Sequence, residues 1–252
     1  MILDFDAYRS VVRASNGNKF ILKPTIKVAG TLNKSIVHGI VTDDLSPETP
    51  IIGALVNAQV SDDHSARVVR STLTDDGGTD INLEGNYQLL LSPNTSFNIV
   101  AFSEAKVLVD VDDSDADVEM MYSPACVEVD VPIDEDIQQN LKLSLSNFGN
   151  ISGTVTVTAN DVVIDPDDPP VVYISFFTNI TECGYVEVAT HPVYPDTEGK
   201  LSYLVDYSVD LPLGSYDVVA SAEGFIPDTG HAALDTSGDT AVHLNIMEQP
   251  GS

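Results

Sequence analysis

Gly85-Asn86-Tyr87-Gln88-Leu89-Leu90-Leu91-Ser92-Pro93-Asn94-Thr95-Ser96-Phe97-Asn98-Ile99-Val100-Ala101 is the stretch that decides the fold class. Two apolar arms flank a Ser-Pro-Asn turn, and neither arm keeps a helical period. The stretch reads as strand, turn, strand. A similar passage recurs at Leu211-Pro212-Leu213-Gly214-Ser215-Tyr216-Asp217-Val218-Val219-Ala220. Outward from both, short runs of Val, Ile, Thr, Tyr and Phe alternate with clusters of Gly, Pro, Asn, Asp and Ser. The best short helical candidate is Ile137 to Leu145, and its end (Leu141, Leu143, Leu145) alternates like a strand. The chain is predicted to be all-β.

Two long segments look alike. One starts at Ile36-Val37-His38-Gly39-Ile40-Val41, the other at Ile151-Ser152-Gly153-Thr154-Val155. Each spans roughly 100 residues with some seven short strands, the size and rhythm of a β-sandwich. The expected organisation is a leading hairpin over 1–35, a first sandwich over 36–147 and a second over 148–252, joined near Asn147-Phe148-Gly149-Asn150. At the start, strand-like runs 2–13 and 19–28 flank Ser15-Asn16-Gly17-Asn18, and Asn-Gly accepts the positive φ of a tight hairpin turn. A lone hairpin is marginal in water. This one is expected to dock on the first sandwich, or by strand addition on another molecule.

The 252 residues carry 11 Lys and Arg against 39 Asp and Glu, a net charge of −28. Such a field repels phosphate backbones and anionic membrane surfaces, which excludes both as partners, and with no long apolar run no direct membrane insertion of this segment is expected. The charge is uneven. Arg9, Arg13, Lys19, Lys23, Lys27 and Lys34 outnumber Asp4 and Asp6, so residues 1–36 carry +4 and the remainder −32. Hydrophobic residues make up 43%, too many for a disordered acidic chain. No signal peptide is visible, and no apolar run approaches the ~18 residues of a membrane span. Because the first residues already read as strand, the chain is expected to be a fragment whose preceding part is missing. Cys126 and Cys183 can pair only if their Cα atoms lie within about 7 Å. Two thiols in a chain this long are more often small buried hydrophobes than a framework, and the pairing stays open.

Gly39-Ile40-Val41, Ala54-Leu55-Val56, Thr72-Leu73-Thr74-Asp75-Asp76-Gly77 and Gly85-Asn86-Tyr87-Gln88-Leu89 together resemble carboxypeptidase regulatory-like domains. The second segment is similar to the other half of that pattern, through Leu211-Pro212-Leu213-Gly214-Ser215-Tyr216, Val218, Ala220 and Gly224-Phe225. The resemblance implies tandem seven-stranded Ig-like or transthyretin-like β-sandwiches, grouped with carbohydrate-binding-like folds. The first copy departs from it with Ser92-Pro93-Asn94-Thr95-Ser96-Phe97 and with an insertion around Thr79-Asp80-Ile81. The leading hairpin is similar to the closing hairpin of a domain of unknown function in bacterial lipoproteins. That implies an exported parent at the cell surface or in the envelope, outer-membrane or periplasmic.

Sites are sparse in the sequence. His38, His64, His191, His231 and His243 have no zinc-ligand spacing, and there is no Gly-x-Ser-x-Gly elbow or phosphate loop. No catalytic residue is singled out, and the chain is expected not to be an enzyme. Asp110, Asp112, Asp113, Asp115 and Asp117 form the densest acidic run. Asp113, Asp115 and Asp117 copy the first ligand positions of a calcium loop, but Val118 stands where Gly is needed and Pro124 where Glu belongs. A looser Ca²⁺ site and a plain solvated loop are the two readings. For carbohydrate, Trp is absent, and Tyr122, Tyr185, Tyr194 and Tyr207 are the candidate exposed rings. The expected function is a non-catalytic spacer, display or adhesion unit that partners other surface proteins. A carbohydrate- or Ca²⁺-binding module is the alternative.

Overall fold

The structure is a computed structural model and describes residues 2–6, 11–14, 20–22, 25–29, 35–62, 65–78, 80–110, 117–160, 170–194, 201–236 and 238–249. The leading strands are β1 (Ile2–Asp6), β2 (Val11–Ala14), β3 (Phe20–Leu22) and β4 (Thr25–Ala29). Next come β5 (Ser35–Asp43), β6 (Leu55–Ser61), β7 (Ala66–Leu73), a 3-10 turn at Ile81–Leu83, β8 (Asn86–Leu91) and β9 (Thr95–Phe102). Then follow β10 (Lys106–Asp110), β11 (Asp117–Tyr122), β12 (Ala125–Val131), β13 (Asp136–Gln138), β14 (Leu141–Leu143) and β15 (Leu145–Ser146). The rest are β16 (Phe148–Thr158), β17 (Val172–Ile180), β18 (Gly184–Tyr194), β19 (Ser202–Pro212), β20 (Gly214–Ser221), β21 (Phe225–Ile226), β22 (Asp228–Leu234), β23 (Thr240–Ala241) and β24 (Leu244–Glu248).

The all-β expectation is met, and the strands form two sandwiches. In the first, the sheet β12-β9-β6-β7 packs on a sheet in which β5 pairs antiparallel with β8 and parallel with β13 and β14. Val37, Val41, Val56, Leu89, Leu91, Phe97, Ile99 and Leu143 fill the space between. In the second, β22-β20-β17-β18 packs on β19-β16-β24-β21, and Val155, Ile174, Phe176, Val205, Val218 and Ile246 fill it. Strict alternation along β19 buries Tyr203, Val205, Tyr207 and Val209 and leaves their neighbours outward, as the period of two requires.

One device occurs in both sandwiches. Gly39 on β5 lies opposite the break between β13 and β14, and Gly153 on β16 lies opposite the break between β23 and β24. A Cβ at Gly39 would collide with the Gln139 carbonyl oxygen, and one at Gly153 with that of Val242. That carbonyl accepts a buried phenol in each case: Tyr87 O–H donates to Gln139 at 2.6 Å and Tyr207 O–H to Val242 at 2.7 Å. Each tyrosine is registered directly across from its glycine. The Gly-x-Val motif therefore marks a close backbone approach, where only hydrogen fits.

Other motif residues are also structural. Thr74 is buried; its hydroxyl donates to the Ile51 carbonyl at 2.6 Å and accepts from the Ala54 N–H at 2.8 Å. Tyr216 donates back to the Pro212 carbonyl at 2.8 Å, a tyrosine corner that the first copy, with Phe97, cannot form.

The leading hairpin pairs as expected, through Ile2↔Ala29 to Asp6↔Thr25 and Val11↔Leu22 to Arg13↔Phe20, while its Asn16-Gly17 turn lies outside the described residues. Its docking differs from expectation. β2 adds parallel to β18 through Val193↔Arg13 and Tyr194↔Ala14, so it extends a sheet of the second sandwich rather than resting on the first. Otherwise β18 is an edge strand there, and an edge offers unpaired backbone groups that take a further strand.

Candidate functional site

The two sandwiches meet along a built seam. Along β9, Phe97, Ile99 and Ala101 point into the first core, while Val100 and Phe102 pack with the core of the second sandwich. Met121 and Cys126 join them. The sheet of β9 is thus buried on both faces here, which is why Phe97 to Phe102 reads as an almost unbroken apolar run. Gln59, fully buried on β6, presents its amide to the backbone of Glu187 on β18. Its Oε1 accepts the Glu187 N–H at 2.9 Å, and its Nε2 donates to the Glu187 carbonyl. Asn98 Nδ2 donates to the Cys183 carbonyl at 2.9 Å. Cys126 and Cys183, whose pairing the sequence left open, are joined in a disulfide with Cα atoms 6.2 Å apart. The bond ties β12 of the first sandwich to the β17–β18 turn of the second.

A polar clasp sits further along the seam. Lys106 on β10 lies 2.7 Å from Asp210 on β19, and its ammonium stands over the Phe148 ring, 4.5 Å from the centroid. Asn150 Nδ2 donates to the same carboxylate at 2.7 Å. The hydrogen bond to Asp210 raises the Lys106 pKa. Burial works to raise that of Asp210, but the hydrogen bonds from Asn150 and Lys106 outweigh it and hold the carboxyl below its ordinary range.

Beside the disulfide, the outer face of β22-β20-β17-β18 holds a groove of about 450 Å³ that also reaches Ser123 and Pro124 of the first sandwich. Phe177 and Tyr185 stack along its wall with centroids 5.2 Å apart and planes 1° from parallel. Tyr185 O–H donates to Asp217 Oδ2 at 3.0 Å. Burial, then that hydrogen bond, pushes the phenol pKa up to about 12. Asp217 Oδ1 lies 3.1 Å from His231 Nδ1, and His231 Nε2 lies 3.1 Å from Ser215 Oγ. No sequence motif brings these three residues together. The only local signal is Ser215 and Asp217 two apart on one strand; His231 reaches them through the pairing Asp217↔His231. A smaller cavity of about 300 Å³ adjoins the groove at Phe177. There the buried Glu187 carboxyl accepts a hydrogen bond from Thr190 at 2.7 Å. The first sandwich carries an open cleft of about 760 Å³ on the outer face of β5, lined by His38, Tyr87 and Asp136 among others.

The candidate residues fall unevenly on this map. Tyr122 and Tyr207 were expected as exposed loop rings, but both lie in strands and are buried at 7% and 6% exposure. Tyr207 is turned inward because it closes the Gly153 approach. Tyr185 does line a groove, and the side chain of Tyr194 lies outside the described residues. Of the acidic run, Asp110 and Asp117 are paired across the β10–β11 ladder and Asp117 is exposed, while Asp112, Asp113 and Asp115 lie outside the described residues. Among the described residues, no three His, Cys, Asp or Glu side chains gather as a metal site would need, and no helix is long and apolar enough to cross a membrane.

No known family's sequence model matches the chain, and no curated protein matches it. Among solved structures it is similar to the Bacillus anthracis TIE protein, at 13% identity and TM-score 0.27, over 91% of this chain and 38% of that one. It is similar to a leucine-rich repeat protein from Bacteroides thetaiotaomicron, at 12% identity and TM-score 0.32, over 86% and 27%. A streptococcal ancillary pilin follows at 12% identity and TM-score 0.26, over 91% and 66%. The chain thus spans well under half the length of the first two. Similarities at this level carry no functional inference.

Proposed function

We propose that the chain is a structural module of an exported bacterial protein, serving as a spacer, display or adhesion unit in the cell envelope. The observation that carries this reading is the seam. Two sandwiches joined by a disulfide, a two-bond amide clasp at Gln59 and the packed side chains of Val100, Phe102 and Met121 hold a fixed relative geometry. A unit that sets a distance needs such a junction, and it asks for no reaction chemistry. The disulfide supports export, because such bonds persist in oxidising compartments and are rare where thiols are kept reduced.

The test is made on cells of the organism that encodes the chain. Free thiols are blocked on intact cells, and the protein is then isolated and analysed by peptide mass spectrometry. An antibody raised to the chain is applied before and after lysis. The expected result is a Cys126–Cys183 linked peptide and antibody binding without lysis. Two alkylated cysteines together with binding only after lysis would sink the reading.

A further inference from the structure

Three side chains on the outer face of the β22-β20-β17-β18 sheet stand in the order of a nucleophilic relay. Ser215 Oγ is 3.1 Å from His231 Nε2, and His231 Nδ1 is 3.1 Å from Asp217 Oδ1. We infer that Ser215, His231 and Asp217 form an acyl-transfer site for small neutral or cationic carboxylic esters. This goes beyond the structural role, which makes no use of these groups.

Either contact alone would be an ordinary cross-strand pair. Their order on the imidazole is what matters. A carboxylate at Nδ1 accepts a hydrogen bond from that nitrogen's N–H and leaves Nε2 as a base toward the hydroxyl. The carboxylate is itself held, since its second oxygen accepts the Tyr185 phenol at 3.0 Å and the Tyr185 ring is stacked on Phe177. Rigid elements position all three groups. Ser215 and Asp217 are alternate residues on β20 and share a face, and His231 lies directly across from Asp217. That register is held by pairs running from Gly214↔Leu234 to Ala220↔Asp228.

The His231 side chain is 63% exposed, so a substrate can reach Nε2 and Ser215 from solvent. The adjoining groove, about 450 Å³, takes a short acyl chain. Asn179 also lines it, with a side-chain amide that can donate. The chain's net charge of −28 disfavours anionic esters in such a groove.

The reaction balances without any oxidant or metal. Ser215 Oγ adds to the ester carbonyl as its proton passes to His231 Nε2. The bond to the alcohol oxygen breaks, and the alcohol leaves with that proton. Water then adds to the acyl-Ser215 ester and gives a proton to Nε2. The carboxylic acid departs, and the Ser215 oxygen recovers the proton. Asp217 acts through His231 and, held by the Tyr185 phenol, is a positioning residue.

The test uses the full chain with p-nitrophenyl acetate and, separately, a fluorophosphonate probe read by peptide mass spectrometry. The probe is expected on Ser215. Ser215→Ala and His231→Ala should each lower the hydrolysis rate on the order of 10²-fold, with unchanged melting because both side chains are exposed. Asp217→Asn should move the pH–rate profile and lower kcat while KM stays close to its original value. A rate at buffer background, a wild-type rate in Ser215→Ala, or a probe adduct anywhere but Ser215 overturns the inference. So does a rate lost in His231→Ala but kept in Ser215→Ala, which would show the imidazole acting alone.

Discussion

Gln59→Leu is the sharpest probe of the seam. The wild-type amide accepts the Glu187 N–H at 2.9 Å and donates to the Glu187 carbonyl, in a position with no exposure. Leucine has nearly the same volume, so the cavity contribution is small and the loss is one of hydrogen bonds. Both hydrogen bonds to the buried Glu187 backbone are lost, at about 1–3 kcal/mol each. The added apolar side chain returns about 1–2 kcal/mol. The expected net destabilisation is about 3 kcal/mol by combination of these terms, read by urea unfolding. Gln59→Glu adds a pH dependence. Burial and the facing carbonyl raise the folded-state pKa of the introduced carboxyl above its unfolded value of about 4.3. Its stabilising acid form is then fully present below that unfolded value, where its O–H can donate to the Glu187 carbonyl. Stability falls as pH rises through the folded pKa, by about 1.4 kcal/mol for each unit between the two. A Gln59→Leu variant within about 0.5 kcal/mol of wild type, the ordinary scatter of surface changes, would refute the reasoning. So would a Gln59→Glu variant whose deficit against wild type shrinks as pH rises.

Replacing both Cys126 and Cys183 by alanine should lower stability by about 4 kcal/mol in the chain-entropy account of a loop of this length, their sequence separation being 57; urea unfolding of the oxidised protein and the variant measures it. Gly39→Ala and Gly153→Ala should each be destabilising, by about 2 kcal/mol or more for forced overpacking, because their new Cβ meets a backbone carbonyl that cannot yield. Thermal melts of the two variants would show the loss, and unchanged melts would disprove the close approach. In an ultraviolet pH titration, Tyr185 and Tyr207 should ionise only near 12, Tyr207 because burial pushes its phenol up to about 12. Their folded pKa values are raised, so the stability they contribute is complete below the unfolded value of about 10 and is lost as pH climbs through the folded one. A full complement of phenolates near pH 10 without unfolding would contradict that burial.

Much of the fold was legible in the residues. Alternation in β19 announced its buried face, and Gly39-Ile40-Val41 with Gly153-Thr154-Val155 announced a repeat that the paired glycine approaches make physical. The site was less so. Tyr207 sits in a run whose local pattern does not say that it faces Gly153, so its ring was expected outside. Tyr185, drawn from the same kind of pattern, does reach a groove. Ser215 and Asp217 announce a shared face, yet nothing near them in the sequence points to His231.

The sequence by itself determined that this is an acidic all-β chain of two sandwiches with a leading hairpin. Strand formation and face assignment depend on periods of two residues, which local order carries. Only the tertiary structure decided that β2 adds to β18, that Cys126 meets Cys183, and that Val100 and Phe102 belong to the neighbouring sandwich's core. These are long-range pairings. Their partners are set by register and by which faces exclude water together, and neither is written in the residues of one strand alone.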